Sequence, residues 1–308
     1  MTEESSSLVS ILIPTYNRAW GLRGAIASAL AQTHTPIEIV VVDDASPDDT
    51  ADVLRAFPDS RVRSERQPRN VGMVGNWGRC VELARGEFAV FLADDDALAP
   101  DFVRSRVALL RGDSEAVAVF GGYERRTLDG SSLGTHPAHR PDGGRLAGRA
   151  LLDAVLGRDL YIASALYRSA ALRELWPAIA KDDLVLDFGL NVRMALRSLG
   201  PVLYAPRYDV TVTSHPGQNT EARREEATLQ GIACLERLVA EAPEWARAPL
   251  RKELANTCVV WGRHLRREGR RAEAMACFAR AIREAPWVWV TWYQWARALG
   301  ERLWVWRT

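Results

Sequence analysis

Cysteine is scarce and unpatterned. The 308 residues hold four, Cys80, Cys234, Cys258 and Cys277, with neither metal-finger spacing nor the even framework of a disulfide scaffold, so a reducing compartment is the default. Long apolar runs are missing, which excludes an obvious bilayer span. The opening residues Met1 to Ser7 are polar and acidic, without the basic region and apolar stretch of a secretory signal. Together these features predict a cytoplasmic protein whose membrane contact, if any, is peripheral and on the inner face. A surplus of either charge is also missing. The formal net charge is +1, which argues against a dedicated nucleic-acid binder. Glycine-rich phosphate loops are absent too. No G-x-G-x-x-G and no G-x-x-x-x-G-K-[ST] occurs, so a nucleotide would not be held in the Rossmann or P-loop manner.

What is present is ample core-forming material: 47% apolar against 26% charged residues. This length suits one large domain and a small one. Leu8 to Ile13 reads as a short buried strand ended by Pro14. Arg18 to Gln32 carries Leu22, Ile26, Ala29 and Leu30 at helical spacing. Ile37 to Val42 is a second β-branched run. Strand, helix and strand in that order imply a βαβ unit with a parallel sheet. Further helices are expected at Asp48 to Phe57, Gly75 to Arg85, Pro100 to Leu110 and Leu184 to Leu199. Further strands are expected at Val62 to Arg66, Phe88 to Leu92 and Ala116 to Phe120. Thr127 to Gly148, rich in Gly, Pro, Ser and His, reads as a long loop.

Three polar clusters end predicted strands: Pro14, Thr15, Tyr16 and Asn17; Asp43 and Asp44; and Asp94, Asp95 and Asp96. Ligands bind open parallel sheets beyond the carboxyl ends of the strands, so the clusters should converge on one crevice. Crowded carboxylates repel one another unless compensated, and Mn²⁺ or Mg²⁺ with oxygen ligands is the natural partner, bridging them to phosphates. Taken singly, either acidic cluster could instead be a helix cap or a solvated turn.

Four segments resemble family 2 glycosyltransferases of GT-A fold, in that family's order and spacing. They are Val9-Ser-Ile-Leu-Ile-Pro-Thr-Tyr-Asn-Arg18, Ile39-Val-Val-Val-Asp-Asp-Ala-Ser46, Arg69-Asn-Val-Gly72 and Ala84-Arg-Gly-Glu-Phe-Ala-Val-Phe-Leu-Ala-Asp-Asp-Asp96. The resemblance implies an inverting, metal-dependent transfer from a nucleoside-diphosphate sugar to an acceptor hydroxyl, in polysaccharide or glycoconjugate synthesis. It implies that Pro14, Thr15, Tyr16 and Asn17 line the nucleoside pocket. It also implies that Asp43 or Asp44 bonds the base, that Arg69 and Asp94 help to hold the nucleotide, and that Asp95, Asp96 and His215 serve the metal. The first Asp of the family's D-x-D motif is Ala93 here. A later family motif resembles Leu186-Asp187-Phe-Gly-Leu190-Asn-Val-Arg193, which makes Asp187 the candidate general base. Asp182 and Asp183 are competitors, and Asp187 could also simply favour a helix start. A nucleotidyltransferase and a non-catalytic sugar-nucleotide scaffold are the rival readings.

The expected architecture is therefore α/β: a mostly parallel GT-A-type sheet flanked by helices over residues 1–222, then a small all-α region over 223–308. In that region Trp261, Gly262, Leu265, Gly269, Ala274, Phe278, Ala281 and Pro286 stand at tetratricopeptide-repeat spacing. Six tryptophans follow, at 287, 289, 292, 295, 304 and 306. They are expected to pack the last helix, with a membrane-interface or partner-docking role as the alternative.

Overall fold

The computed structural model describes residues 7–136, 144–179, 183–215 and 223–296. The chain divides into two compact units, residues 1–222 and 223–308.

The first unit is α/β. Strands β1 (Val9–Thr15), β2 (Ile37–Asp43), β3 (Val62–Arg66) and β4 (Phe88–Phe91) form the parallel half of the sheet, in the order β3-β2-β1-β4. All seven residues of β1 and of β2 are buried. A strand covered on both faces needs a continuous apolar run rather than an alternating one, as these sequences provide. The crossovers are α1 (Ala19–Leu30), α2 (Thr50–Arg55) and α3 (Met73–Leu83). Helix α1 buries Leu22, Ala25, Ile26 and Ala29, one stripe at i, i+3, i+4 and i+7.

The other half of the sheet is mixed. It contains β5 (Ala97–Leu98), β6 (Ala118–Thr127), β9 (Leu166–Arg168) and β10 (Val202–Ser214). Strand β9 runs antiparallel between β4 and β6, and β10 runs parallel to β6. So β6 and β10 point the same way as β1 and β4, and their carboxyl ends reach the same edge of the sheet. Helices α4 (Phe102–Gly112), α5 (Gly148–Leu156), α6 (Ser169–Ile179) and α7 (Leu186–Arg197) complete the unit.

The long loop expected over Thr127 to Gly148 is not one. Strand β6 runs on to Thr127 and returns as β7 (Ser132–His136), and β8 (Gly144–Leu146) pairs with β10. Gly130, at φ 85°, makes the reversal. The residues of β7 are mostly exposed, so no apolar alternation marks it in sequence; backbone pairing to β6 holds it. Residues 137–143 lie outside the described residues. Strand β10 was also hidden, because Pro206, Arg207 and Asp209 interrupt its apolar run. Its register to β6 shifts between Ala205 and Tyr208, and such irregularities are where a strand tolerates Pro.

The second unit contains α8 (Arg224–Glu241), α9 (Glu244–Arg267) and α10 (Arg271–Glu284). Trp261, Leu265, Ala274, Phe278 and Ala281 are all buried between them. A Cβ at Gly262 would stand 2.6 Å from the Phe278 ring, and Gly269 turns the chain at φ 81°. The two glycines thus permit, respectively, close helix approach and the α9–α10 turn. Residues 289–296 are helical again. That helix buries Thr291 and Gln294, while Trp287, Trp289 and Trp292 stand 47–73% exposed. Packing is therefore not what these three tryptophans chiefly do: the inward face of the helix carries other residues. Residues 297–308, with Trp304 and Trp306, lie outside the described residues. Among the described residues, no helix is long and apolar enough to cross a membrane.

Candidate active site

The parallel topology delivers all three sequence clusters to one edge. β1 ends at Thr15, β2 at Asp43, and β4 runs into Asp94–Asp96. β10 ends at Ser214, which carries His215 to the same edge.

Asp43 and Asp44 are buried, at 1% and 2% exposure, and each carboxylate organises a loop. Asp43 Oδ1 accepts from the Ser46 amide at 2.9 Å, and Oδ2 accepts from Arg66 Nη1 at 2.6 Å. Asp44 accepts the amides of Val71 and Gly72 at 2.7 and 3.0 Å. This fixes the Arg69-Asn-Val-Gly72 segment against the end of β2. Asn76, buried in α3, donates to Val42 O at 2.9 Å and ties that helix to the same strand end. Asn17 takes a left-handed conformation (φ 55°), and its amide donates to Ser46 Oγ at 2.9 Å. Asn is among the few residues that accept this conformation cheaply. Pro14 and Thr15 are buried, whereas Tyr16, Asn17 and Arg69 are exposed. The result is a strand edge of buried, hydrogen-bonded carboxylates and backbone, with Tyr16 and Arg69 exposed on the segments those carboxylates fix.

The acidic turn is held as tightly. Arg18 Nη1 donates to Asp95 Oδ2 at 2.8 Å and to Asp94 Oδ1 at 3.1 Å. His215 Nε2 stands 2.9 Å from the same Asp95 oxygen and makes an edge contact with Trp20. Asp96 accepts the Thr213 amide at 3.0 Å and the Tyr161 hydroxyl at 3.3 Å. Burial pushes the Asp94 carboxyl up to about 6, Arg18 pulling it down and Asp95 adding to the rise. Burial and the neighbouring Asp95 push Asp96 up as well.

Asp187 lies in the first turn of α7. Burial raises its carboxyl above the ordinary 3.8, against the lowering effect of the Phe188 amide, which donates to Oδ1 at 2.7 Å. Burial raises the Tyr161 phenol well above its ordinary value, with Asp96, Asp95 and Asp187 adding to the rise. The Tyr123 ring packs against that of Tyr161, centroids 4.8 Å apart and planes tilted by 48°. Asp182 and the Asp183 side chain lie outside the described residues.

The donor set suits a hard divalent cation in part. Asp95 oxygen and His215 Nε2 converge, and such a cation commonly takes one or two protein ligands and completes its shell with phosphate and water. No group of three or more His, Cys, Asp or Glu capable of holding a metal unaided occurs among the described residues. The residues therefore fit a cation shared with a diphosphate. Arg18, Ser46, Arg66, Asn76, Tyr161 and Thr213 had been given no role on sequence. Arg18 and Ser46 sit inside motif segments, and their polarity beside strand ends was the available signal. Tyr161 and Thr213 offered none.

The family model described as Glycosyl transferase family 2 matches residues 10–176. The succinoglycan biosynthesis protein ExoO of Rhizobium meliloti is 37% identical over 125 residues, 41% of this chain and 36% of that one. Five curated relatives, ExoO included, are spanned over only 21–37% of their own length. Among solved structures, residues 1–349 of TarS from S. aureus superimpose with TM-score 0.66 at 16% identity, covering 90% of this chain and 81% of that one. TarS has also been solved with UDP-GlcNAc. The mannosyltransferase PcManGT from Pyrobaculum calidifontis, solved with GDP-Man and Mn²⁺, gives TM-score 0.58 at 18% identity over 98% of this chain and 88% of that one. With the motifs gathered on one sheet edge and the family match covering more than half of the residues, this chain belongs to glycosyl transferase family 2 and has a GT-A fold.

Proposed function

We propose that the chain transfers a sugar from a nucleoside-diphosphate sugar to an acceptor hydroxyl with inversion, using Mn²⁺ or Mg²⁺, in polysaccharide or glycoconjugate assembly. ExoO serves succinoglycan biosynthesis, TarS has been solved with UDP-GlcNAc, and PcManGT with GDP-Man and Mn²⁺; these relations support the donor class and the cation. In this reading Pro14, Thr15, Tyr16 and Asn17 line the nucleoside, Asp43 or Asp44 takes its base, and Arg69 and Asp94 help to hold it. Asp95 and His215 would hold the cation, with Asp96 behind them. When bound, the cation supplies Lewis-acid neutralisation of the departing diphosphate. Asp187 takes the proton of the acceptor hydroxyl as its oxygen attacks the anomeric carbon from the face opposite the diphosphate. The proposal includes residues 1–222 as the catalytic domain and 223–308 as a tetratricopeptide-like helical domain. It also includes a cytoplasmic location, with membrane or protein docking confined to the helical unit.

One observation carries this reading: the strand ends that bring up Thr15, Asp43 and Asp94–Asp96 share one sheet edge, where Asp95 meets both Arg18 and His215. A carboxyl raised by burial is better suited to take a proton than an ordinary one, and burial raises that of Asp187. Incubation with donor and acceptor panels, followed by NMR of the new linkage, tests it. The account expects an anomeric configuration opposite to the donor's; a retained configuration would refute the single-base mechanism.

A further inference from the structure

Arg18 reaches the acidic turn because α1 is pressed against it. A Cβ at Gly21 would stand 2.6 Å from Asp94 O, so glycine is what lets the first turn of α1 approach. The Arg18 guanidinium then meets Asp95 Oδ2 and Asp94 Oδ1 at 2.8 and 3.1 Å. His215 Nε2 occupies a second direction on the same Asp95 oxygen at 2.9 Å. A carboxylate oxygen offers about two lone-pair directions, and on Asp95 Oδ2 both are engaged. A cation that ligates this oxygen has to replace one of the two. The His215 side chain is nearly enclosed, at 8% exposure, and meets Trp20 edge-on. Arg18 has a long flexible stem, is 20% exposed, and directly follows the Pro14–Asn17 turn.

We propose that Arg18 and a divalent cation compete for Asp94 and Asp95, and that the donor's diphosphate resolves the competition by drawing Arg18 onto itself. The inference rests on the donor and metal reading above. Its physical content is a coupling. Cation alone must displace a half-buried guanidinium from two nearly enclosed carboxylates with no new protein partner for it. Cation and diphosphate together give that guanidinium a bidentate anion to hold. Such coupling is reciprocal: each ligand tightens the other by the same factor.

The test is Mn²⁺ binding followed by electron paramagnetic resonance, with and without UDP or GDP, on wild type, Arg18→Gln and Arg18→Lys. Arg18 begins α1 without a side-chain capping bond, and melting curves of each variant, with Arg18→Lys keeping the charge, separate loss of its ion pairs with Asp94 and Asp95 from a change in Mn²⁺ affinity. Arg18→Gln should bind Mn²⁺ alone on the order of tenfold more tightly than wild type, the scale for releasing one competing charge at a partly solvated site. The mutual tightening of Mn²⁺ and nucleotide should shrink by the same factor, and Arg18→Lys, which keeps the charge but not the bidentate fork, should bind Mn²⁺ alone as weakly as wild type while losing part of the mutual tightening. If wild type couples Mn²⁺ to nucleotide but Arg18→Gln binds Mn²⁺ alone no better, the competition is refuted while the metal reading stands. If wild type takes up no Mn²⁺ even with nucleotide, the metal reading falls and takes this proposal with it.

Discussion

Replacing Asp187 by Asn separates chemistry from stability with a one-atom change. Asn Oδ1 can still accept the Phe188 amide that Asp187 accepts at 2.7 Å, so the start of α7 keeps its bond. What is lost is a charge and a base. A positioned general base contributes roughly 10²–10⁴-fold, about 2.7–5.5 kcal/mol of barrier. Transfer should fall by that much while nucleotide affinity stays near normal, as measured by single-turnover kinetics and calorimetry. Stability should move the other way. The native carboxyl lies above its ordinary 3.8 because burial outweighs the helix-start amide. A raised carboxyl favours the native state fully below the unfolded value, and that contribution is lost as pH rises through the native one. Wild type thus carries a cost at neutral pH that Asn does not. The melting temperature of Asp187→Asn should match wild type near pH 3.5 and equal or exceed it at pH 8. A variant that retains transfer within tenfold of wild type would remove Asp187 as the base. A variant less stable at pH 8 than at pH 3.5, relative to wild type, would refute the burial argument.

Asp95→Asn should lower turnover by orders of magnitude with an unchanged circular-dichroism spectrum, since Asn keeps the shape but loses the charge that attracts the cation; wild-type activity persisting in excess EDTA would contradict this. Gly121→Ala should cost about 2–4 kcal/mol in urea titrations, because its Cβ would collide with the buried Arg106 guanidinium and strain the ion pair with Asp209. An unchanged urea midpoint would show that Arg106 yields without cost. Tyr161→Phe should change kcat/KM less than tenfold, since its 3.3 Å bond to Asp96 is long for a hydroxyl donor; a larger loss would give the phenol a direct part in transfer.

The parallel half of the sheet was legible because its strands are buried on both faces and therefore appear as unbroken apolar runs, as Ile37–Asp43 does. The site was legible for the same reason: parallel strands send their ends to one edge, so Thr15, Asp43 and Asp94 had to converge. The mixed half was not. Strand β7 is held by backbone pairing with exposed side chains, and β10 passes through a Pro-containing irregularity, so neither has the periodicity that burial imposes. Arg18 was visible inside its motif, but its engagement with Asp95, 77 residues away, is a property of the fold alone. The tryptophans at 287, 289 and 292 suggested packing by residue type. Helical phase instead turns Thr291 and Gln294 inward, and their neighbour Trp292 lies about 100° away round the helix, a distinction that composition does not carry.

The central claim is that the acidic edge of this sheet activates a nucleoside-diphosphate sugar. Incubating the full chain with a panel of UDP- and GDP-sugars and Mn²⁺, without acceptor, and measuring nucleoside diphosphate tests it most directly. The account predicts slow hydrolysis of one donor, lost in EDTA and in Asp95→Asn. Pyrophosphate released from a nucleoside triphosphate and a sugar phosphate, with no diphosphate from any sugar nucleotide even once acceptors are added, would contradict it.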